Sequence, residues 1–521
     1  MSRFLLIALL IGLNIPADGR QPPAASRLNY GLDSLSRKTL DEALKIQGMS
    51  EPELGFYKFW AVDSFFRLKV VDRLLSHPLE VLPYVESVAG AVDKAQRLPV
   101  NLILGRFQAI DVPIGWQDTL RLLREIKREL GKKGTEVNEE GFDTLPLVLG
   151  SALNTILAGF EVGNRYLSQA LAKIPERELD ILLGEAPNFW KDEDDSLEKG
   201  YTGILHREFG KDYDTSKEVK SETLLAYARK IDRRYLALSG LAVVIACGRA
   251  VEELKSFKVK ECQSLKLEGV KGSVLYATET KWGEVIIGGP DDNIYERDAA
   301  LIIDLGGNDI YYNRAGGAIG VLDQPFSIVL DIKGNDHYNS SKLFSQGSAL
   351  FGTGVLFDME GDDVYRGKHY TQGAAIFGTG IFWDFTGNDL YDAGFFAQGA
   401  GHYGIGVLID NEGNDTYRSF CYCQGFAGTW GYGLLAEGRG NDLYYAGGKY
   451  KHEPLLPREY RSFSQGFAIG VRPDAGGGIG FLCDFQGNDF YNAEVFCQGT
   501  SYWYSLGMLY DQEGFDHYTA A

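Results

Sequence analysis

An eight-residue motif, D-x-x-G-[N/D]-D-x-Y, recurs through the second half of this chain and limits what that half can fold into. It is complete in Asp331-Ile332-Lys333-Gly334-Asn335-Asp336-His337-Tyr338 and again in Asp384-Phe385-Thr386-Gly387-Asn388-Asp389-Leu390-Tyr391. The second aspartates of its eight copies are Asp309, Asp336, Asp363, Asp389, Asp415, Asp442, Asp489 and Asp516, so the step is 26 or 27 residues with one exception of 47. A unit of that length is too short for a four-stranded propeller blade and carries no helical periodicity, but it suits one turn of a three-strand coil. Residues 301–521 are therefore expected to wind into a parallel β-solenoid of about eight rungs. Gly289-Pro290-Asp291-Asp292-Asn293-Ile294-Tyr295 reads as a degenerate capping rung before them.

Each unit carries an apolar run before its first acid, such as Val355-Leu356-Phe357, Ile381-Phe382-Trp383 and Val407-Leu408-Ile409, with no polar alternation. Such strands are buried on both faces, so something must cover the outer face of the sheet. A second column, Gln346, Gln372, Gln398, Gln424, Gln465 and Gln498, is followed each time by glycine. Stacked amides of this kind can bond along the array. The tyrosine column, Tyr311 to Tyr518, is expected to stack from rung to rung. All eight rungs carry it, and a binding site rarely needs eight equal platforms, so it is read as structural rather than as a carbohydrate strip.

The first acids (Asp304, Asp331, Asp358, Asp384, Asp410, Glu437, Asp484 and Asp511) form a further column. Parallel neighbours lie about 4.8 Å apart, and two unit charges at about 5 Å repel by roughly 3 kcal/mol at an effective dielectric near 20. Three remedies exist: splaying into solvent, capping of the acids' own loop amides, or hard cations held by carboxylate and carbonyl oxygens. The core Gly307-Asn308-Asp309-Ile310-Tyr311 resembles part of the glycine-rich calcium repeats of RTX proteins, and the whole is similar to exported bacterial β-helix repeat proteins. The resemblance covers roughly five to eight residues per unit, and RTX repeats recur every nine residues, so it does not supply a full ligand set. It implies calcium as the cofactor, with Asp331, Asp336, Asp358, Asp363, Asp384, Asp389, Asp410 and Asp415 as ligands. Without a cation, the same residues read as Asx-stabilised turns.

The first half reads differently. Apolar residues at helical spacing, for instance Leu224, Leu225, Ala228, Ile231 and Tyr235, mark 33–257 as an α-helical domain that could cover the sheet. Helical stretches are expected at 119–130, 145–158 and 222–257. A β-rich junction fills 258–300, and the fold class is α + β. Arg3, the apolar run Phe4–Leu13 and Ala17-Asp18-Gly19 read as a signal peptide over 1–19, followed by a linker at 20–32. No later segment is expected to qualify as a membrane helix, which needs about 20 apolar residues. The mature chain is thus expected to be exported to a periplasmic or extracellular space without a membrane span. Of six cysteines, Cys247 and Cys262 are candidates for pairing, and the others read as small buried residues. A net charge of −19 argues against nucleic acid.

Insertions in a repeat array tend to form loops on its binding face. The 47-residue step holds extra residues around 447–460 and 471–476, where Lys451, His452, Glu453 and Arg458 are the candidate ligand-binding residues. Gly361-Asp362-Asp363 is similar to the paired aspartates of β-helical polysaccharide hydrolases, but six of the eight copies read Gly-Asn-Asp there, so the repeat accounts for it. The expected function is a binding or structural scaffold that presents these loops to a glycan, a matrix or a protein. The alternative is a polysaccharide hydrolase or lyase working in the solenoid groove.

Overall fold

The computed structural model describes residues 32–521 apart from 57, 59–61, 96–98, 133–144, 186–218, 256, 258–263 and 321–323. The segment expected to be a signal peptide, nearly all of the expected linker, and Cys262 lie outside the described residues. Among the described residues nine α-helices come first: α1 (Ser34–Ile46), α2 (Lys69–Ser76), α3 (Val81–Ala95), α4 (Pro99–Ala109), α5 (Trp116–Leu130), α6 (Leu147–Leu171), α7 (Glu176–Glu185), α8 (Ser221–Ala228) and α9 (Arg233–Leu254). The stretch expected at 222–257 is broken in two by Asp232, whose carboxylate caps α9 by accepting from the amides of Arg234 and Tyr235.

Next comes a parallel β-solenoid of about eight turns, with an antiparallel β-meander over Leu265–Gly288 at its start. A typical rung has a six-residue strand (Thr353–Asp358), the acidic turn, a short strand (Val364–Arg366) and a third piece (Ala375–Ile376). Successive rungs stack in register, Asp358 on Asp384 and Tyr365 on Tyr391. Register survives the long step, where Glu437 pairs with Asp484 and Tyr444 with Tyr491. The degenerate rung takes part as well, with Tyr295 over Tyr311.

The six-residue strands are buried on both faces. Leu356, Phe382 and Leu408 pack with the tyrosine column in one core. Their neighbours Val355, Phe357, Ile381 and Trp383 share a second core with Leu241, Val244 and Ile245 of α9. The helical half is therefore the cover that the strand composition demanded. Small residues allow the close approach: a Cβ on Gly240 of α9 would lie 2.3 Å from Thr379 Oγ1, and one on Gly159 of α6 would lie 2.4 Å from the Ala246 Cβ. The change of composition near residue 258 marks a switch of secondary structure inside one continuous core. Arg106 Nη1 donates to Tyr432 Oη at 3.1 Å, and the Arg233 guanidinium lies 4.1 Å from the Trp430 ring centre, tying helices to rungs.

Two expectations need correcting. By length and composition α9 is apolar enough to cross a membrane, with a mean hydropathy of 1.5, although 78% of that window is buried inside the protein. The glutamine column does not bond amide to amide. Gln372 Nε2 donates instead to Tyr365 O of its own rung at 2.9 Å and Asp392 O of the next at 3.4 Å. Each of these glutamines has φ between 51° and 55° and is followed by a glycine with positive φ. At Gly399 any Cβ would sit 1.9 Å from Leu434 O, so the Gln-Gly pair turns the chain where only glycine fits at the second position.

Candidate functional site

The parallel register places the first acids one above another beneath the tyrosines. All are closed to solvent from Asp304 to Asp484. From Tyr311 to Tyr417 each tyrosine reaches across to the next rung: Tyr311 Oη donates to Asp331 at 2.6 Å, Tyr338 to Asp358 at 2.8 Å, Tyr365 to Asp384 at 2.6 Å, Tyr391 to Asp410 at 2.6 Å and Tyr417 to Glu437 at 2.5 Å. In Asp304, Asp331, Asp384 and Asp410 the other oxygen accepts from the amide two residues on, as in Gly306 N to Asp304 Oδ1 at 2.8 Å, whereas Oδ1 of Asp358 and of Asp484 is buried with no protein donor. This is the loop-capping remedy, an Asx turn on the inside of the coil.

The second acids form a parallel ladder. Asp336 Oδ1 accepts from Asp309 N at 2.6 Å, Asp363 from Asp336 N at 2.5 Å, Asp389 from Asp363 N at 2.6 Å and Asp415 from Asp389 N at 2.6 Å. The Oδ2 atoms of Asp309, Asp336, Asp389 and Asp415 are buried with no protein donor. Asp336 and Asp415 lie within hydrogen-bonding reach of the first acids of their own rungs, Asp331 and Asp410. Burial, then the neighbouring carboxylates, push Asp309 up to about 11, Asp336 to about 10 and Asp415 to about 11. Burial pushes Asp363 up to about 7 and Asp389 to about 9. Asp358 and Asp384 stand well above the usual carboxylate range for the same reason. Burial and the adjacent carboxylates raise the phenols too, so the tyrosines stay neutral donors.

All eight candidate metal ligands thus lie in these two buried columns. One oxygen from each of Asp331, Asp336 and Asp358 falls within 4.8 Å of the others, and the triads Asp358–Asp363–Asp384 and Asp384–Asp389–Asp410 repeat the pattern. Such clusters could bind a metal ion. An all-oxygen donor set suits a hard cation, but calcium takes six to eight oxygens. Here the tyrosine hydroxyl and the loop amide already engage Asp331, Asp384 and Asp410, while Asp358 keeps one oxygen without a donor.

At the insertion, Lys451–His452 and Leu456–Tyr460 form a small antiparallel hairpin. Lys451, Glu453 and Arg458 are exposed on it, whereas His452 is buried. His452 Nδ1 accepts from Arg461 Nε at 3.1 Å, and Arg461 Nη2 donates to Glu453 O at 3.3 Å. The imidazole therefore serves the base of the hairpin. Arg461, which holds it there, was not singled out in the sequence. Asp362 and Asp363 part company: Asp362 is exposed and accepts from Asn388, while Asp363 belongs to the buried ladder.

A further ladder escaped notice in the sequence. Asn388 Nδ2 donates to Asp362 Oδ1, Asn414 to Asn388, Asn441 to Asn414 and Asn488 to Asn441, each at 2.9 Å, along the exposed edge of the turns. Its signal was present in the residue before each second aspartate. Compared with protein-family models, curated proteins and solved structures, the chain matches none of them.

Proposed function

We propose that this chain is an exported scaffold whose rigid coil presents the loops of 447–476 to a glycan, a matrix or a partner protein. What supports this reading is the division of labour among side chains. The tyrosines, glutamines and buried acids face inward and hold rung to rung, while Lys451, Glu453, Leu455 and Arg458 stand exposed on a hairpin that the stack does not need. In this reading calcium in the acid triads stiffens the coil, in keeping with their oxygen-only chemistry.

The test is binding of the chain from residue 20 onward to a glycan array and to envelope extracts, beside a variant with 449–459 replaced by two glycines. Loss of binding on removal of the hairpin is expected; unchanged binding would sink the assignment to this loop. Calcium is tested by thermal melts with and without a chelator, since a ligand held only by the folded state must raise its stability. A melting temperature indifferent to both chelator and added calcium excludes it.

A further inference from the structure

The column that precedes the second aspartates reads Asn308, Asn335, Asp362, Asn388, Asn414, Asn441 and Asn488, and then breaks at Phe515. Phe515 N still donates to Asn488 Oδ1 at 3.1 Å, so the backbone keeps the ladder while the side chain leaves it. Phe515 sits on the last described rung, where its ring is 93% exposed, the largest exposure of any big apolar side chain among the described residues of the array.

Phe515 lines, together with the amide stack Asn388, Asn414, Asn441 and Asn488, a shallow and open trough of about 850 Å³. Each Nδ2 spends one of its two hydrogens inside the stack. The tyrosines of these rungs repeat at 4.6 to 5.0 Å, so the amides repeat at a similar pitch along the axis. Over the Glu412–Arg439 pair, joined at 3.1 Å, the trough runs into a crease of about 610 Å³ bounded by Lys94 of α3 and by Gln512. Both halves of the chain therefore contribute to one polar channel.

We propose that this trough is a second binding surface, for a neutral, hydroxyl-rich polymer: an extended glycan lying along the solenoid axis with a sugar ring on Phe515. The inference rests on the glycan branch of the scaffold reading. Amides that both donate and accept, a carboxylate–guanidinium pair and an exposed aromatic ring are the groups that recognise ring hydroxyls and the apolar face of a sugar. A net charge of −19, with Glu412 and Glu513 at the trough itself, disfavours acidic polymers and nucleic acid.

The experiment is affinity electrophoresis of the full chain in gels containing a soluble neutral glucan, xylan or galactomannan, with polygalacturonate as the anionic comparison. Phe515→Ala and the double variant Arg439→Ala/Gln512→Ala are run beside the hairpin-replaced chain, and each is checked by melting. Retardation by at least one neutral glycan is expected. It should weaken about three- to tenfold in Phe515→Ala, in keeping with the loss of one aromatic contact, and persist without the hairpin. The proposal is overturned if no neutral glycan retards the wild type or if polygalacturonate retards it best. Retardation that depends on the hairpin and not on Phe515 also overturns it, while leaving the loop assignment standing. A wild-type dimer that Phe515→Ala converts to monomer, seen by light scattering, assigns the ring to a second copy of the chain and equally overturns it.

Discussion

Replacing Tyr391 by phenylalanine removes one oxygen from the middle of the stack and leaves the ring, whose centre lies 5.0 Å from that of Tyr365 and 4.6 Å from that of Tyr417. What is lost is the 2.6 Å bond to Asp410 Oδ2. Tyr417 Oη stands 3.5 Å from the same oxygen and is a poor replacement. A hydrogen bond to a charged group contributes about 1.5–3 kcal/mol and a neutral one about 1. Burial holds Asp410 up at about 7, and the bond from Tyr391 pulls it down. Because the folded value lies above the ordinary 3.8, this group's contribution is complete below 3.8 and is lost as pH rises through about 7. Removing the donor raises the folded value further, so the deficit of the variant must grow with pH. We expect about 1 kcal/mol at pH 5 and about 2–3 kcal/mol at pH 8.5. Urea titration followed by near-ultraviolet circular dichroism, which reports the aromatic stack, measures both. Tyr518→Phe is the control: it breaks a bond of the same 2.6 Å length to Asp511, but at a tyrosine 45% exposed, where solvent screening should hold the loss below about 0.5 kcal/mol. Equal losses at the two sites, or a larger Tyr391→Phe loss at pH 5 than at pH 8.5, would refute the reasoning.

Two further outcomes follow from the same geometry. With Asp309, Asp336 and Asp415 raised to about 11, 10 and 11, the folded chain binds more protons than the unfolded chain from about pH 4 upward. In chelated, metal-free buffer the urea midpoint should therefore fall from pH 5.5 to pH 9, and a rise over that range would contradict protonated buried acids. In α9, Gly240→Ala pushes a methyl against Thr379 and should cost about 1–3 kcal/mol. Gly248→Ala on the same helix meets nothing within 4 Å and should stabilise by about 0.5–1 kcal/mol; matching effects would mean that the helix does not lie where described.

The solenoid was legible because its determinants repeat: one period fixes register, and register fixes which side chains stack. The need for a cover over Val355, Phe357 and their equivalents could be read from strands without alternation, and α6 and α9 supply it. The direction of the bonds was not legible. A column of glutamines says that amides stack, but only the left-handed backbone at Gln372 and Gly373 turns its donor toward carbonyls. Burial of the acids was likewise hidden, since aspartate in a Gly-Asn-Asp turn is ordinarily a surface residue, and the tyrosine hydroxyl that holds it inside comes from the preceding rung. His452 misled because a histidine beside a glutamate suggests chemistry, whereas its partner Arg461 lies nine positions away, directly after the returning strand.

The two turn ladders run in opposite directions. The amide of each second aspartate points forward, Asp336 N to Asp363, whereas the amide of the residue before it points back, Asn335 N to Asn308. A rung can thus settle one of these groups on what has already been made, but must wait for its successor to settle the other. A coil built one rung at a time would carry a single unfinished turn at its leading edge, each added unit completing the one before it. Such a coil can be assembled in step with translation, with one rung's worth of unsatisfied backbone exposed at any moment.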